Sequence, residues 1–173
     1  MLLEGGVNAD TANARRWTAL HAAAAKGNLD MCRLLLDWGA KVDPLNDKEA
    51  TPLHYAAEGG YLSVVKLLVE RGADVNTKDN DGVTPLHEVV WSNDWSVAKF
   101  LVECGADSSA RNEKGFTPLL YAAMKGHLPM VKLFVDSGAD VRLKYTPGWT
   151  ASEWARVRGE EDVAEWLDLV QER

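Results

Sequence analysis

Three histidines are the first residues in this chain whose type and spacing could do chemistry. His21, His54 and His87 recur every 33 residues, and imidazoles on a fixed period are one way to assemble a metal centre. A shared zinc needs its ligands about 2 Å from the ion. Helices packed side by side lie roughly 8–10 Å apart, so histidines one period apart stand too far from each other, and no metal site is expected. The two thiols, Cys32 and Cys104, fall in different helices more than two periods apart. Their Cα atoms should therefore exceed the ~7 Å that a disulfide can span, and a buried small-hydrophobe role is expected for both. Glu160-Glu161 is a carboxylate pair, but it sits in a charged terminal helix and reads as a solvated face. The chain has no phosphate-cradling glycine loop, no Gly-x-Ser-x-Gly elbow and no His-Glu-x-x-His. The expectation is a protein with no catalytic residues and no cofactor, and so not an enzyme.

The elements that hold these residues follow from the same period. Thr18, Thr51, Thr84, Thr117 and Thr150 are spaced by 33 residues without an insertion. Gly6, Gly39, Gly72, Gly105 and Gly138 form a second series in phase with the first, and Ala40, Ala73, Ala106 and Ala139 follow its last four members. Thr before Pro starts a helix: the hydroxyl caps a free backbone N–H, and proline at the first helical position needs no donor. Thr51-Pro52, Thr84-Pro85 and Thr117-Pro118 have this form, while Thr18 and Thr150 keep the cap alone. Nine residues after each Thr comes Gly27, Gly60, Asn93, Gly126 or Gly159, the residue types that tolerate the left-handed conformation ending a helix. A second helix follows, as in Ser63–Arg71, with apolar residues at helical spacing. Polar stretches such as Asp74–Gly82 are too short for a third helix and suit a protruding turn. Each unit is thus helix, tight turn, helix and finger, and one unit alone cannot bury its apolar faces, so neighbours must stack.

Thr51-Pro-Leu-His54-Tyr-Ala-Ala, Thr84-Pro-Leu-His87, Gly72-Ala-Asp-Val-Asn76 and Asp79-Asn-Asp-Gly82 resemble the ankyrin repeat pattern over essentially the whole chain. The resemblance implies an all-α solenoid in a single domain, 1–173. It consists of a partial repeat tail at 1–12, repeats starting near 13, 46, 79 and 112, and a C-terminal capping repeat at 145–173. First helices would line a concave face, second helices a convex one. It also implies that His21, His54 and His87 bond to backbone of a neighbouring loop. Leu120 holds the equivalent place in the fourth repeat, which must satisfy its loop otherwise. Two fingers carry Arg16 and Glu49 where glycine is expected, so their turns should differ in shape. Residues 1–10 match only the end of a repeat, beginning inside a second helix at Met1-Leu-Leu; upstream repeats outside the chain are the favoured reading, a minimal cap from Leu2 and Leu3 the other. Leu68 with Asp74-Val75-Asn76 resembles the asparagine-hydroxylation motif of ankyrin proteins, although Asn at this place also stabilises a finger.

The resemblance places the exposed concave positions one, three, four and six residues before each Thr, and seven and eight after it. Nine basic and four acidic residues occupy them, a net charge of +5, while the rest of the chain carries 10 basic and 22 acidic residues, a net −12. The basic residues are Arg15, Lys26, Lys48, Lys78, Arg111, Lys114, Lys125, Lys144 and Arg158; the acidic ones are Asp47, Glu58, Asp81 and Glu113. A face opposite in sign to its own protein suits a partner of acidic character. Trp17, Trp91, Phe116, Trp149 and Met124 share these positions, with Tyr55, Tyr121, Tyr145 and Trp154 nearby. Of the seven tryptophans, Trp95 and Trp166 alone occupy places where the pattern puts core leucine. Trp and Arg are the types most enriched at interface hot spots. The candidate partner-binding set is Trp17, Lys48, Tyr55, Trp91, Arg111, Lys114, Phe116, Tyr121, Met124, Lys125, Trp149 and Arg158. Trp17, Phe116 and Trp149 serve equally well as packing against the next finger.

The net charge of −7 argues against non-specific nucleic-acid binding by the whole molecule. No apolar run approaches the ~20 residues of a membrane span. The opening residues lack the charged and apolar segments of an export signal, and two cysteines make no disulfide framework. A monomer in an intracellular, reducing compartment, cytoplasmic or nuclear, is expected. The function that fits is an interaction scaffold, adaptor or inhibitor, for a protein or peptide segment. The alternatives are a regulatory or targeting segment of a larger enzyme and an engineered ankyrin binder. Framework departures at Val89-Val90-Trp91, Leu120 and Phe134 favour a natural sequence over an engineered one.

Overall fold

The computed structural model describes residues 8–146 and 148–172. Among them run ten helices, paired in five units: α1 Ala19–Ala25 with α2 Leu29–Asp37, α3 Pro52–Glu58 with α4 Leu62–Glu70, α5 Pro85–Ser92 with α6 Trp95–Glu103, α7 Pro118–Met124 with α8 Leu128–Asp136, and α9 Ala151–Val157 with α10 Glu161–Gln171. The described residues contain no strand, only the isolated bridges Ala12 to Thr18 and Tyr145 to Trp149. Odd-numbered helices contact one another in one row and even-numbered helices in a second row, which makes an all-helical solenoid. The Met1-Leu-Leu segment lies outside the described residues.

Each first helix starts at its Thr in extended backbone and ends two residues before a left-handed position, or one residue before it in α5. Gly27, Gly60, Asn93, Gly126 and Gly159 hold that position with φ of 52–81°, a conformation that costs most residues about 1–2 kcal/mol. Short first helices of seven or eight residues are not stable alone, so packing must supply their stability. Leu20, Leu53, Leu86 and Leu119, two residues after each Thr, are at most 1% exposed. Cys32, Val65, Ala98, Val131 and Ala164 line up in the second helices with no exposure at all. Small residues at Ala24, Ala57 and Ala123 let neighbouring first helices approach closely. In the first unit, Met31 and Leu34 are 42% and 43% exposed, whereas their equivalents Val64 and Leu67 are covered by the preceding α2.

The fingers are built on a side-chain turn. Asn13, Asn46, Asp79 and Asn112 each accept, through Oδ1, the N–H groups two and four residues further on. This pulls the next residue but two into the left-handed region. The expected difference in shape at Arg16 and Glu49 does not occur: both adopt φ of 56° and 59°, beside 72° at Gly82 and 76° at Gly115. Their N–H groups make the same turn bonds, to Asn13 and Asn46 carbonyls. The Asx turn dictates the backbone there, and the side chain bears the strain. Adjacent fingers are joined by backbone bonds of 2.9 Å from Asp47, Asn80 and Glu113 N–H to the carbonyls of Arg15, Lys48 and Asp81.

Two further expectations need correction. Cys32 is buried, with its thiol pushed up to about 11 by desolvation, but Cys104 is exposed. Cys104 is the cap residue at the end of α6, where the chain leaves the helix on the outer surface. Trp95 is not in the core either: it is 44% exposed, with the Lys99 ammonium 5.1 Å from its ring centre. Its equivalents Leu29, Leu62 and Leu128 are only half-buried, and so is Trp166. This first position of the second helix lies at the rim of the stack.

Candidate partner-binding face

The three periodic histidines are structural in their geometry. The N–H groups of Thr18, Thr51 and Thr84 donate to Nδ1 of His21, His54 and His87 at 3.1–3.2 Å. Nδ1 is therefore the unprotonated nitrogen, and Nε2 donates to the carbonyls of Ala50, Val83 and Phe116 at 3.0–3.1 Å. Each ring ties the start of its own helix to the finger of the next unit, with both nitrogens engaged. Burial is the main force lowering all three pKa values, His87 to about 4.

The fourth unit solves the same problem with a coordinated change. Leu120 is fully buried, and the hydroxyl of Thr117 instead meets Tyr145 Oη at 2.6 Å. Tyr145 occupies the finger position held elsewhere by Asn13, Asn46, Asp79 and Asn112, and it is only 5% exposed. The residue two positions on is Pro147, which has no N–H for an Asn side chain to accept. A tyrosine that reaches back to the previous Thr thus replaces both the histidine and the Asx turn.

Asn76 belongs to another ladder. Its Oδ1 accepts from Asp107 N–H at 2.9 Å, just as Asp10 and Asp43 carboxylates accept from Lys41 and Asp74 N–H. Its Nδ2 also donates to the Gly105 carbonyl at 3.0 Å. Both ends of the amide bridge to the following unit.

The aromatic residues gather in three groups along the first-helix side. Trp17 stacks on His21 and meets Tyr55 edge-on, with ring centres 4.5 Å apart in the latter pair. Further along, Trp91, Tyr121, Phe116 and Tyr145 form a continuous chain at 5.8–6.3 Å, and Trp149 packs edge-on against Trp154 at 5.1 Å. Tyr55 and Tyr121 are held by bonds from Asn46 and Asn112 Nδ2 to their hydroxyls. Trp17, Phe116 and Met124 are half-buried, and Trp149 is 36% exposed. Trp91 stands apart at 56% exposed, with Lys125 Nζ 4.2 Å from its ring centre. Lys48, Arg111, Lys114, Lys125 and Arg158 are all exposed.

One residue escaped the six-position reading. Glu88 lies four residues after Thr84, in the row of Ala22, Tyr55, Tyr121 and Trp154. It faces a cleft of about 150 Å³ shared with Lys48, His54, Tyr55, Glu58 and Asp79. Burial, reinforced by Glu58 and Asp79, pushes its carboxyl up to about 7. The signal was a lone carboxylate in a row otherwise alanine or aromatic. Its consequence is an uneven face: cations dominate the fourth and fifth units, whereas carboxylates crowd the second and third.

The family model described as ankyrin repeats (3 copies) matches the chain three times, over residues 1–79, 43–112 and 86–168. The chain belongs to the ankyrin repeat family. No curated protein matches it. Ankyrin repeats mediate protein–protein interactions and are typically non-enzymatic binding modules. In this ankyrin repeat protein, no described helix is long and apolar enough to cross a membrane.

Proposed function

We propose that this ankyrin repeat domain is an adaptor or inhibitor whose concave face holds a protein segment bearing acidic and large apolar groups, across its second to fifth repeats. The carrying observation is Trp91, a large apolar ring more than half exposed, with the Lys125 ammonium 4.2 Å from its centre. A cation over a tryptophan face presents charge and apolar area together, which is what such a segment would meet. The cluster Trp91, Tyr121, Phe116 continues it, with Trp17, Tyr55, Met124 and Trp149 as flanking contacts and Lys48, Arg111, Lys114 and Arg158 as the charged rim. The reading is of a monomer in a reducing intracellular compartment, where the exposed Cys104 thiol stays free.

The test is affinity enrichment from lysate with the native protein beside Trp91→Ala and Lys125→Glu variants, followed by titration of any protein lost with the variants. Truncating a hot-spot tryptophan costs about 2 kcal/mol or more, so roughly thirtyfold weaker binding is expected for Trp91→Ala. Partners retained equally by all three proteins would remove the concave face from the binding site.

A further inference from the structure

Lys78, Arg111 and Lys144 occupy the same place in three consecutive fingers, each 33 residues from the next. The first two units have Ala12 and Leu45 there, so the row of cations begins at the third finger and runs to the fifth. All three residues are exposed. The ion pairs of the described residues involve other cations, Arg71, Lys99 and Arg156. Lys78 Nζ donates to the Arg111 carbonyl at 3.2 Å, which braces finger against finger and leaves further ammonium protons outward. Between the fourth and fifth fingers an open groove of about 390 Å³ is lined by Arg111, Lys144 and a third cation, Lys114. In a protein of net charge −7, this is a concentrated site for anionic groups.

The pitch of the row limits what can lie on it. Side-by-side helices repeat at roughly 8–10 Å, and backbone bonds from Asn80 and Glu113 to the preceding fingers keep the third and fourth fingers on that pitch. A polyproline-type extended chain rises about 3.1 Å per residue with three residues per turn. It therefore returns the same face every ~9 Å, in step with the fingers. An α-helix covers ~9 Å in about six residues but returns the same face only after about seven, at ~10.5 Å, and a strand repeats a face every ~7 Å.

We propose that Lys78, Arg111 and Lys144 seat an extended, polyproline-type segment of the partner protein carrying a carboxylate at every third residue. This deepens the concave-face reading and rests on it. Carboxylates of Glu58 and Asp79, around the cleft between the second and third units, repel such a segment beyond Lys78, so its acidic part is confined to the cation row and its register along the stack is set. Repulsion of the wrong placement contributes to specificity as much as attraction of the right one.

The experiment selects a displayed library of random 16-residue peptides on the native protein and then measures the enriched peptides by titration. Acidic residues three apart should be enriched over those two, four or seven apart. Arg111→Glu with Lys144→Glu should weaken binding at least tenfold, while Lys26→Glu, on the first unit, should change it less than twofold. Circular dichroism of each variant confirms that it is folded. Enrichment at a spacing of seven, no acidic spacing, or no binder at all overturns the proposal. Loss of binding with Trp91→Ala but not with the paired charge reversal overturns the seat while leaving the concave face standing. Insensitivity to all the variants overturns both. A single-stranded oligonucleotide that displaces the peptides and binds more tightly than they do would replace the protein segment as occupant.

Discussion

Glu88 and His87 are neighbours on α5 whose titrations oppose each other. Glu88 is raised to about 7 from 4.5, so between these values the folded protein holds a proton that the unfolded chain has released. Its stabilising contribution is full below pH 4.5 and is lost as pH rises toward 7. His87 is lowered to about 4 from 6.5, so its contribution is present above pH 6.5 and lost as pH falls toward 4. Glu88→Gln removes the first effect and keeps the second. Since one pH unit of displacement is worth about 1.4 kcal/mol, the substitution should stabilise the protein by about 2–3 kcal/mol at pH 8 and by almost nothing at pH 4.5. Urea midpoints at the two pH values check this, and equal shifts at both would contradict the desolvated carboxylate. A second residue-scale expectation concerns Glu49, whose left-handed backbone costs about 1–2 kcal/mol. Glu49→Gly relieves that cost against an entropic loss of roughly 0.5–1 kcal/mol. The melting temperature should rise by a few degrees, whereas Glu49→Ala should leave it unchanged or lower.

At the level of elements, the coupling between helix and finger explains how one repeat departs from the pattern without losing its fold. Tyr145 and Leu120 substitute together for a histidine and an Asx turn. Tyr145→Phe leaves the Thr117 hydroxyl without this partner and should cost about 1–2 kcal/mol. Leu120→His alone should destabilise further, because the buried ring competes with Tyr145 for the same hydroxyl. Combined with Tyr145→Asn, the same histidine should recover part of the loss, and a double-mutant cycle would read that coupling directly. Additive losses would show that the two positions act independently. Much of each element was legible beforehand: Thr caps, Pro at the first turn and Gly at the helix end are local signals with local physics. The Leu120 gap was legible as a gap, but its filling was not, since Tyr145 comes from the next unit and only stacking brings its hydroxyl to Thr117.

For the whole molecule, stability is a sum of units and the contacts between neighbours. Leu86 lies in the middle unit, fully buried between α3 and α7. Leu86→Ala should cost about 2–5 kcal/mol and should lower amide-exchange protection on both sides of the third repeat. A loss confined to that repeat would mean that the units unfold independently. At the ends, each terminal unit lacks one covering neighbour within the described chain, which is why Met31 and Leu34 are exposed where Val64 and Leu67 are not. Charge is also unevenly distributed along the stack. The exposed Trp91 and Lys125 pair and the cations of the later fingers lie toward one end, and the carboxylates of Glu58, Asp79 and Glu88 lie toward the other.

The 33-residue period, the helix pairs and the finger positions were determined by the sequence alone, because they follow from residue types acting on their own backbone and from strict repetition. Tertiary structure alone decided which of the periodic residues are covered. Cys104 is exposed although Cys32 is buried, and Trp95 lies at the rim although its pattern suggested core. Arg16 and Glu49 are forced into a glycine conformation by turns that their own identities would not choose. Glu88 acquires its displaced titration mainly from burial in the stack, reinforced by Glu58 of the preceding unit and by Asp79 of its own finger. Burial and charge coupling are set by neighbours some thirty residues away, and a repeat pattern says where those neighbours stand but not which atoms they leave uncovered.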